Sequence, residues 1–408
     1  MKILFITNLL PYPFDNGGKI KTYNTLKILS KSNEIDLMCF YEDEEDLVKK
    51  DHLYRFCKNI DCIKKPIITS KNINYMLKLA IKNLFSKIPL VAYKYMDKKF
   101  ENILISKIDK NNYDAIYIDH LQLGGYLDKI KKIDKKYILD EHNAESTIIL
   151  RKAKQSKNII KRMYFYYEYK RLRNFESYII NKVDKVIVLS EEDKNILKEI
   201  SREKDEKFIQ IPIPIEIDYE KSSSIKSSTH YNILFLGTLS WFPNSQGIEW
   251  FIDNVVPKLD RQKISYSLYV VGKDPSSKLI EIGNVKDNII VTGFVNDVNE
   301  YIEKCDFMVV PLFIGSGMRV KILEAMGKKM PVISTTIGCE GIEVKNKESI
   351  LIANDEVEFV EAIKYVSNKE VYEEIRNKSK QIFEEQYSVR ALEELYLNVI
   401  KNKGDINA

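Results

Sequence analysis

One stretch in the second half of the chain constrains the fold most, because it reads as a strand, a turn, a helix and a strand in direct succession. An apolar run over 307–312 is typical of a buried parallel strand, and it ends at the small residues 315–317. A helical pattern follows, and Pro331 then opens a second β-branched run over 332–336. Such a unit predicts a parallel sheet covered by helices, which is the architecture of an α/β protein.

The start of the helix in this stretch carries charges that point to an anion. Arg319 and Lys321 fall in its first turn, where positive side chains oppose the helix dipole unless an anion lies between them. Glu324 follows three residues after Lys321 and projects from nearly the same face. This carboxylate either accepts hydrogen bonds from ribose hydroxyls behind a diphosphate or pairs with Lys321 or Lys328 on a solvated face. The residues alone leave both interpretations open.

The same alternation runs through the chain in two blocks. Residues 211–230 are punctuated by proline, rich in serine and without a helical pattern, so we interpret them as a linker. The 408 residues suffice for two domains, which we place at 1–210 and 231–385, with a final helix in 386–408. The sequence also predicts two helices over 71–110, divided at Pro89, and one long helix over 151–180. The predicted strands are 3–7, 34–40, 113–119, 136–140, 185–189, 208–211, 233–237, 267–272, 289–293, 307–312, 332–336 and 350–353.

Composition narrows the class of function. A net charge of +5 is too small to indicate nucleic-acid binding by itself. The five cysteines are odd in number and contain no CxxC, which favours a reducing cytoplasm over disulfides or structural zinc. No apolar run approaches the ~18 residues of a membrane span, and the short apolar start reads as a strand rather than a signal peptide. We therefore expect a cytoplasmic protein that does not bind nucleic acid.

The segments GSGMRVKILEAM and PVISTTIGCEGIEV resemble the donor-nucleotide signature of glycosyltransferase family 4, the retaining enzymes of the GT-B fold. The resemblance covers most of the chain and is closest over 235–259 and 311–344. It implies two Rossmann-like β/α/β domains facing each other across a cleft, the first on the acceptor side and the second binding a nucleotide-diphosphate sugar. The last helix would then return to the first domain. The commonest setting of the family is the synthesis of bacterial capsule or exopolysaccharide on a glycan or lipid-linked acceptor.

The resemblance also implies which residues act. His142, in the segment DEHN, matches the histidine that faces the donor sugar, although a structural histidine is the plain alternative. Together with Arg319 and Lys321 it forms the predicted catalytic set. The family commonly has two glutamates seven residues apart; Glu324 matches the second, and Ser316 stands in place of the first. The predicted donor-binding residues are Gly17, Gly18, Gly237, Thr238, Asn244, Phe294, Ser316, Gly317, Met318 and Glu324.

Two departures from the family pattern bear on the diphosphate. Many members carry an arginine after the glycine that matches Gly237 and a lysine near the next helix start, whereas this chain has Thr238 and then Pro243 and Asn244. We interpret Arg319 and Lys321 as replacing that charge from another loop. The sequence contains no Asp-x-Asp, so neither a metal nor another cofactor is expected beside the sugar nucleotide.

Other functions stay open at this stage. A non-hydrolysing nucleotide-sugar epimerase of the same fold needs the same nucleotide site but no acceptor. A basic membrane-binding or nucleic-acid-binding module is a further alternative. Residues 151–180 hold nine Arg or Lys against two Glu, interleaved with aromatic residues. That helix, like the basic stretch 71–99, is either a solvated face over an ordinary core or a surface that meets anionic lipid head groups.

Overall fold

The computed structural model describes residues 1–13, 16–65, 73–130, 135–221, 230–315 and 317–401. Two compact units divide the chain, one made of Met1–Pro214 with the chain from Leu392, the other of Ile215–Ala391. Each unit has its own buried apolar core around a parallel sheet. The predicted α/β class with two Rossmann-like domains is confirmed.

The first unit contains a seven-stranded parallel sheet in the order β3-β2-β1-β4-β5-β6-β7. Its strands are β1 Lys2–Thr7, β2 Glu34–Tyr41, β3 Asn59–Lys64, β4 Ala115–Asp119, β5 Lys136–Asp140, β6 Lys185–Val188 and β7 Phe208–Gln210. Its helices up to the end of the sheet are α1 Gly17–Ser30, α2 Glu44–Val48, α3 Ile73–Asn83, α4 Leu90–Tyr93, α5 Lys98–Lys110, α6 Glu145–Gln155, α7 Ile159–Lys182 and α8 Glu191–Ser201. The strand order reverses direction between β1 and β4, and open α/β sheets bind ligands at such a switch point.

The second unit contains a six-stranded parallel sheet in the order β10-β9-β8-β11-β12-β13. Its strands are β8 His230–Leu236, β9 Ser265–Val271, β10 Ile289–Gly293, β11 Phe307–Val310, β12 Val332–Ser334 and β13 Leu351–Ile352. Its helices are α9 Phe242–Asn254, α10 Val256–Arg261, α11 Ser277–Val285, α12 Asn299–Lys304, α13 Val320–Gly327, α14 Glu356–Val366 and α15 Lys369–Gln386. Here the switch point lies between β8 and β11.

The last helix of the described chain, α16 Val389–Ile400, contributes most of its length to the first unit. Tyr396 on this helix is fully buried, and Lys31 at the end of α1 forms an ion pair with Glu393 at 2.5 Å. Lys136 of β5 donates a hydrogen bond to the carbonyl oxygen of Ile400 at 3.3 Å. These contacts tie the end of the chain to the first sheet.

Three local predictions were wrong. The edge strand β3 was missed, since only one of its six residues is buried and its sequence shows no apolar run. The single helix predicted over 151–180 is two helices, because Asn158 caps α7 by accepting hydrogen bonds from the backbone of Ile160 and Lys161. Residues 73–110 form three helices instead of two, and Pro89 caps the short middle one. Within the described residues, no helix combines the length and the apolar character that crossing a bilayer requires.

Candidate active site

In the second unit, two helices begin at the switch point of the sheet with uncapped N-termini. α9 follows β8 and α13 follows β11, the two strands on either side of the reversal. Neither helix has a side-chain cap or an acidic residue in its first turn. The backbone N–H groups of a first helical turn have no partner within the helix, and the helix dipole gives them a partial positive charge. Both helix starts therefore favour an anion.

Lys321 links these two helix starts. Its Nζ atom donates hydrogen bonds to the carbonyl oxygen of Leu236 at 2.6 Å and to Asn244 Oδ1 at 2.9 Å. Asn244 is buried and donates from Nδ2 to the carbonyl oxygen of Thr238 at 2.9 Å. Burial, and secondly the charge of Arg319, lower the pKa of Lys321 to about 7. An anion bound here would favour the charged form of this lysine.

Arg319 places a second cation at the start of α13. It occupies the N-cap position, only 7% of the residue is exposed, and its guanidinium carbon lies 5.9 Å from the centre of the Trp241 ring. Gly315 has a φ of 131°, and a Cβ added to it would lie 2.5 Å from Arg319 Nη2. The glycine thus provides the space that the guanidinium occupies. Buried Arg319 and half-buried Lys321 at one helix N-terminus repel each other and are opposed by the dipole, and a bound anion removes that cost.

Glycine also shapes the turn after β8. Gly237 has a φ of 158°, and a Cβ on it would lie 2.6 Å from Asn244 Nδ2 and 2.8 Å from Lys321 Nζ. Only a residue without a side chain lets both polar groups reach the end of the strand. The predicted residues Gly237, Thr238, Asn244, Arg319 and Lys321 therefore meet in one place.

The other donor-binding predictions of this unit lie at the same edge of the sheet. Gly317 and Met318 are half-buried and directly precede the start of α13. Phe294 follows β10 and is largely exposed, beside Gly293, whose carbonyl oxygen accepts a 3.0 Å hydrogen bond from Gly272. Ser316 lies outside the described residues.

Glu324 is half-buried on α13, and burial raises its pKa. Among the described residues Lys321 bonds to Asn244 and Leu236 and forms no ion pair with Glu324, so that pairing is wrong. Lys328 donates a hydrogen bond to Asn299 Oδ1 at 2.8 Å. Its charge lowers the pKa of Glu324, but burial raises that pKa by more. A ribose contact for Glu324 stays a prediction.

The switch point of the first unit holds the remaining predicted residues. Gly17 and Gly18 start α1, with Asn16 as the cap that accepts from the Lys19 N–H at 3.1 Å. His120 directly follows β4, and its Nε2 atom lies 3.7 Å from where a Cβ on Gly18 would be. The φ of His120 is 81° and its ψ is 133°, outside the left-handed helical region, and backbone strain of this kind clusters at functional sites.

Asp119 organises this second group. Its carboxylate accepts hydrogen bonds from the hydroxyls of Thr7 and Thr22, both at 2.7 Å. It also lies 2.7 Å from His142 Nε2 and 3.0 Å from His120 Nδ1. The two imidazole rings are stacked with their centres 3.6 Å apart. Asp119 thus fixes the orientation of both histidines.

The surroundings shift the pKa values of the two histidines in opposite directions. Burial, followed by His120 and Lys21, lowers the pKa of His142 to about 4, so this ring is neutral at pH 7. Burial also opposes the charged form of His120, but the Asp119 carboxylate outweighs it and raises the pKa of His120. Lys21 is fully buried and forms an ion pair with Asp140, the residue that ends β5.

Asp119, His120 and His142 also have ligand atoms within 4.8 Å of one another, a spacing that a metal ion can use. His142 Nε2 is hydrogen-bonded to the carboxylate, and His120 Nδ1 lies within ion-pair distance of it. The described contacts are those of a carboxylate beside two stacked histidines.

Sequence reasoning missed four residues of these sites, Lys21, Asp119, His120 and Trp241. Thr22 and Asp119 are 97 residues apart, and Lys21 and Asp140 are 119 apart, so no local pattern connects them. One signal was present: His120 follows the end of β4 just as the segment with His142 follows the end of β5. Adjacent parallel strands bring such residues to one edge.

Comparison with known proteins agrees with this fold. Residues 230–369 match a family model described as glycosyl transferases group 1. A 44.6 kDa protein from the cps region of Klebsiella pneumoniae is 26% identical over 396 residues, which cover 95% of this chain and 96% of that protein. HepE from Anabaena, solved with UDP and glucose, is 13% identical with a TM-score of 0.65, and the alignment covers 98% of this chain and 99% of HepE. Sucrose-phosphate synthase from Thermosynechococcus elongatus is 15% identical with a TM-score of 0.67, with the same coverage of 98% and 99%.

The two Rossmann-like units and these structural neighbours define the GT-B fold. The matched second domain indicates the activity: the protein is a glycosyltransferase, an enzyme of sugar transfer.

Proposed function

We propose that the enzyme transfers a hexose from a nucleotide-diphosphate sugar to a glycan or lipid-linked acceptor, with retention of anomeric configuration. One observation carries the proposal. Arg319 and Lys321 lie at the uncapped start of α13, and Lys321 also reaches the uncapped start of α9, at the switch point of the second sheet. A diphosphate is the anion that such a site suits, because it offers several oxygens to two cations and to backbone N–H groups.

The chemistry follows from this charge. As the bond between the sugar and the diphosphate breaks, negative charge grows on the leaving phosphate, and Arg319 and Lys321 stabilise it more than they stabilise the bound donor. The N–H groups near Gly317 and Met318 add to this stabilisation. Glu324, further along α13, is the proposed acceptor of the ribose hydroxyls. Because protein cations can carry the charge, we propose that no metal is required.

His142 is the proposed sugar-facing residue of the first unit. Its low pKa keeps the ring neutral at pH 7, so the ring can hydrogen-bond to a sugar hydroxyl while carrying no charge. Asp119 holds the ring in place. Gly18 keeps free the space beside His120 that a Cβ would enter.

The relatives suggest which substrates to try first. HepE was solved with UDP and glucose, so UDP-glucose is the first donor to test. The Klebsiella relative comes from a cps region, which supports a role in capsule or other cell-surface polysaccharide synthesis. We propose that the enzyme works in the cytoplasm, at the inner face of the membrane that holds a lipid-linked acceptor.

Ligand-induced thermal stabilisation tests the donor site. UDP, GDP, ADP and CMP are compared, and the nucleotide that binds the folded protein raises its melting temperature by mass action. Glu324→Ala, which removes the proposed ribose contact, serves as the control and should lose most of the shift from the best nucleotide. A protein that none of these nucleotides stabilises would contradict the proposal.

Donor turnover then separates the two enzyme classes. A glycosyltransferase consumes its sugar nucleotide slowly until an acceptor is added, and NMR of the product gives the anomeric configuration. An epimerase converts the sugar nucleotide to its isomer without any acceptor, and that result would replace sugar transfer by epimerisation.

A further inference from the structure

The first unit exposes an unusual number of large apolar side chains where α3 ends and α7 begins. We call this the α3–α7 surface. Five of its side chains belong to residues more than half exposed, including Phe85 at 98% and Ile160 at 74%. The five are Ile81, Phe85, Ile159, Ile160 and Met163. Isolated exposed apolar residues are common, but a contiguous group marks an interaction surface.

Specific hydrogen bonds make the group contiguous. Arg171 of α7 donates from Nη2 to the carbonyl oxygens of Ser86 and Ile88, each at 2.6 Å. The hydroxyl of Tyr167, one turn earlier, donates to the carbonyl oxygen of Leu84, next to Phe85. Ile160, Met163 and Tyr167 are spaced three and four residues apart and so share one face of the helix. The end of α3 is thus fixed beside the third and fourth turns of α7, and Tyr167 continues the face that carries Ile160 and Met163.

The charges on this surface have one sign. Exposed bases accompany the apolar residues on both segments: Lys82, Lys87, Lys157, Lys161, Arg162 and Lys170. Between residues 73 and 88 the sequence has no acidic residue, and between 151 and 175 it has only Glu168. Glu168 is buried and forms an ion pair with Arg171. The bases on these segments therefore have no exposed acidic residue of the same segments beside them.

We propose that the α3–α7 surface docks on a bilayer that carries anionic lipids. Phe85, Ile160 and Met163 enter the head-group region, and the surrounding bases meet lipid phosphates, which is the division of roles in interfacial helices. A second copy of the chain, docked through the same surface, would place its bases against these bases, and like charges repel. The inference rests on the proposed function in one respect, since a lipid-linked acceptor stays in the membrane.

Arg171 does not belong to the surface, although it lies in the basic stretch. Its side chain is largely buried and holds the end of α3, so its replacement would disturb the fold. The basic variant is therefore Lys161→Gln, Arg162→Gln and Lys170→Gln. Its matched control removes the same charge from exposed positions of the second unit: Lys364→Gln, Lys369→Gln and Lys378→Gln. The apolar variant is Phe85→Ser with Met163→Ser, and Val48→Ser with Val285→Ser is its control, since both valines are 77% exposed.

Cosedimentation with vesicles measures the binding. The wild-type protein and both controls should sediment with vesicles of phosphatidylglycerol and phosphatidylcholine at low salt, and not with phosphatidylcholine alone. The basic variant should bind about a hundredfold more weakly, since each exposed base adds a similar increment near an anionic surface. The apolar variant should bind at least about tenfold more weakly, since it loses the two apolar side chains that enter the bilayer. Binding of the wild-type protein should fall steeply between about 0.05 and 0.5 M salt, because the screening length, ~10 Å at 0.1 M, shortens as the salt concentration rises.

Three results would overturn the inference: no sedimentation of the wild-type protein at low salt, equal binding by all variants, or a concentration-dependent dimer that only the apolar variant abolishes. The last would assign the surface to a second copy. Stabilisation by the donor nucleotide is measured on the same samples. It should be unchanged in every variant, so a failure of membrane docking is distinguishable from a failure of the donor site.

Discussion

The Nζ atom of Lys321 lies 2.9 Å from Asn244 Oδ1, and this single hydrogen bond joins the starts of α13 and α9. A cation held between two helix N-termini is unfavourable without an anion, because the helix dipoles oppose it. Burial, and secondly the charge of Arg319, lower its pKa. A bound diphosphate makes the charged lysine favourable. The positive charges of the site therefore favour an anionic leaving group.

Arg319→Gln should lower kcat by about 10²–10³ while changing the dissociation constant of the sugar nucleotide much less. The reason is that charge on the diphosphate grows as the sugar leaves, so the lost interaction is stronger in the transition state. Steady-state kinetics and calorimetric binding on the same preparation measure both quantities. The exposed Arg261→Gln is the control for loss of one positive charge. A raised KM with an intact kcat would show that Arg319 only holds the ground state.

Glu324→Ala should weaken nucleotide binding by about 1.5–3 kcal/mol, the usual contribution of hydrogen bonds to a charged group. Isothermal titration with the preferred nucleotide gives this value, and the exposed Glu361→Ala serves as control. Because burial raises the pKa of Glu324, binding should also weaken as the pH falls, beginning at a higher pH than for an ordinary glutamate. An unchanged dissociation constant in a folded Glu324→Ala protein would exclude the ribose contact.

Gly272→Ala should destabilise the second unit by about 3 kcal/mol, the upper end for overpacking, because the new Cβ would lie 1.8 Å from the carbonyl oxygen of Gly237. Gly293→Ala is the matched comparison: its φ is 68° but no atom lies within 4 Å of its added Cβ, so only about 1 kcal/mol of backbone strain is expected. Both tryptophans, Trp241 and Trp250, lie in this unit, so fluorescence during urea unfolding reports on it. Equal midpoints for the two variants would mean that the turn after β9 can relax.

The sequence predicted those parts of the fold that depend on apolar periodicity. Every strand with three or more consecutive buried apolar residues, such as β1 and β11, could be located from the chain alone. β3 could not, because an edge strand with one buried residue of six leaves no apolar run. The division between α6 and α7 could have been found, since Asn158 is a helix-capping residue placed directly before the helix it caps.

The site was predictable where its residues are neighbours in sequence and not where topology joins distant segments. Arg319, Lys321 and Glu324 share one helix, so their spacing was informative. The pairing of Asp119 with His142 depends on the order of β4 and β5 in the sheet, which local composition does not show.

Asp119→Asn should lower the pKa of His120 below its ordinary value. In the wild-type protein the Asp119 carboxylate outweighs burial and raises that pKa. Without it, burial and Lys21 favour the neutral ring, and Asp140 opposes them. Histidine NMR titrations of the four-histidine chain measure this directly. The His52 signal is the internal reference, because burial and Arg55, not Asp119, shift its pKa. A His120 signal that titrates at the same pH in both proteins would show that Asp119 does not set its charge.

The pKa of Lys321, about 7 in the free enzyme, makes donor binding depend on pH. An anion favours the charged lysine, so the pKa rises on binding and the complex takes up a proton above pH 7. Between pH 7 and 8.5 the affinity for a nucleotide-diphosphate sugar should therefore fall about tenfold, a range in which the donor's own phosphates do not titrate. Calorimetry in two buffers of different ionisation enthalpy counts the proton.

The same group also affects stability, and the sign can be checked independently. A lysine whose pKa is lower in the folded than in the unfolded state destabilises the fold at low pH. Between about pH 7 and the ordinary pKa of 10.5, only the unfolded chain keeps the proton. The contribution of Lys321 to the free energy of unfolding therefore rises with pH over this range. Lys321→Met should remove this rise and give weaker donor binding with a flat pH profile. In Arg319→Gln the midpoint of the profile should move upward, because the second cause of the depressed pKa is gone. A wild-type affinity equal at pH 7 and 8.5, with no proton taken up, would mean that Lys321 is already charged in the empty site.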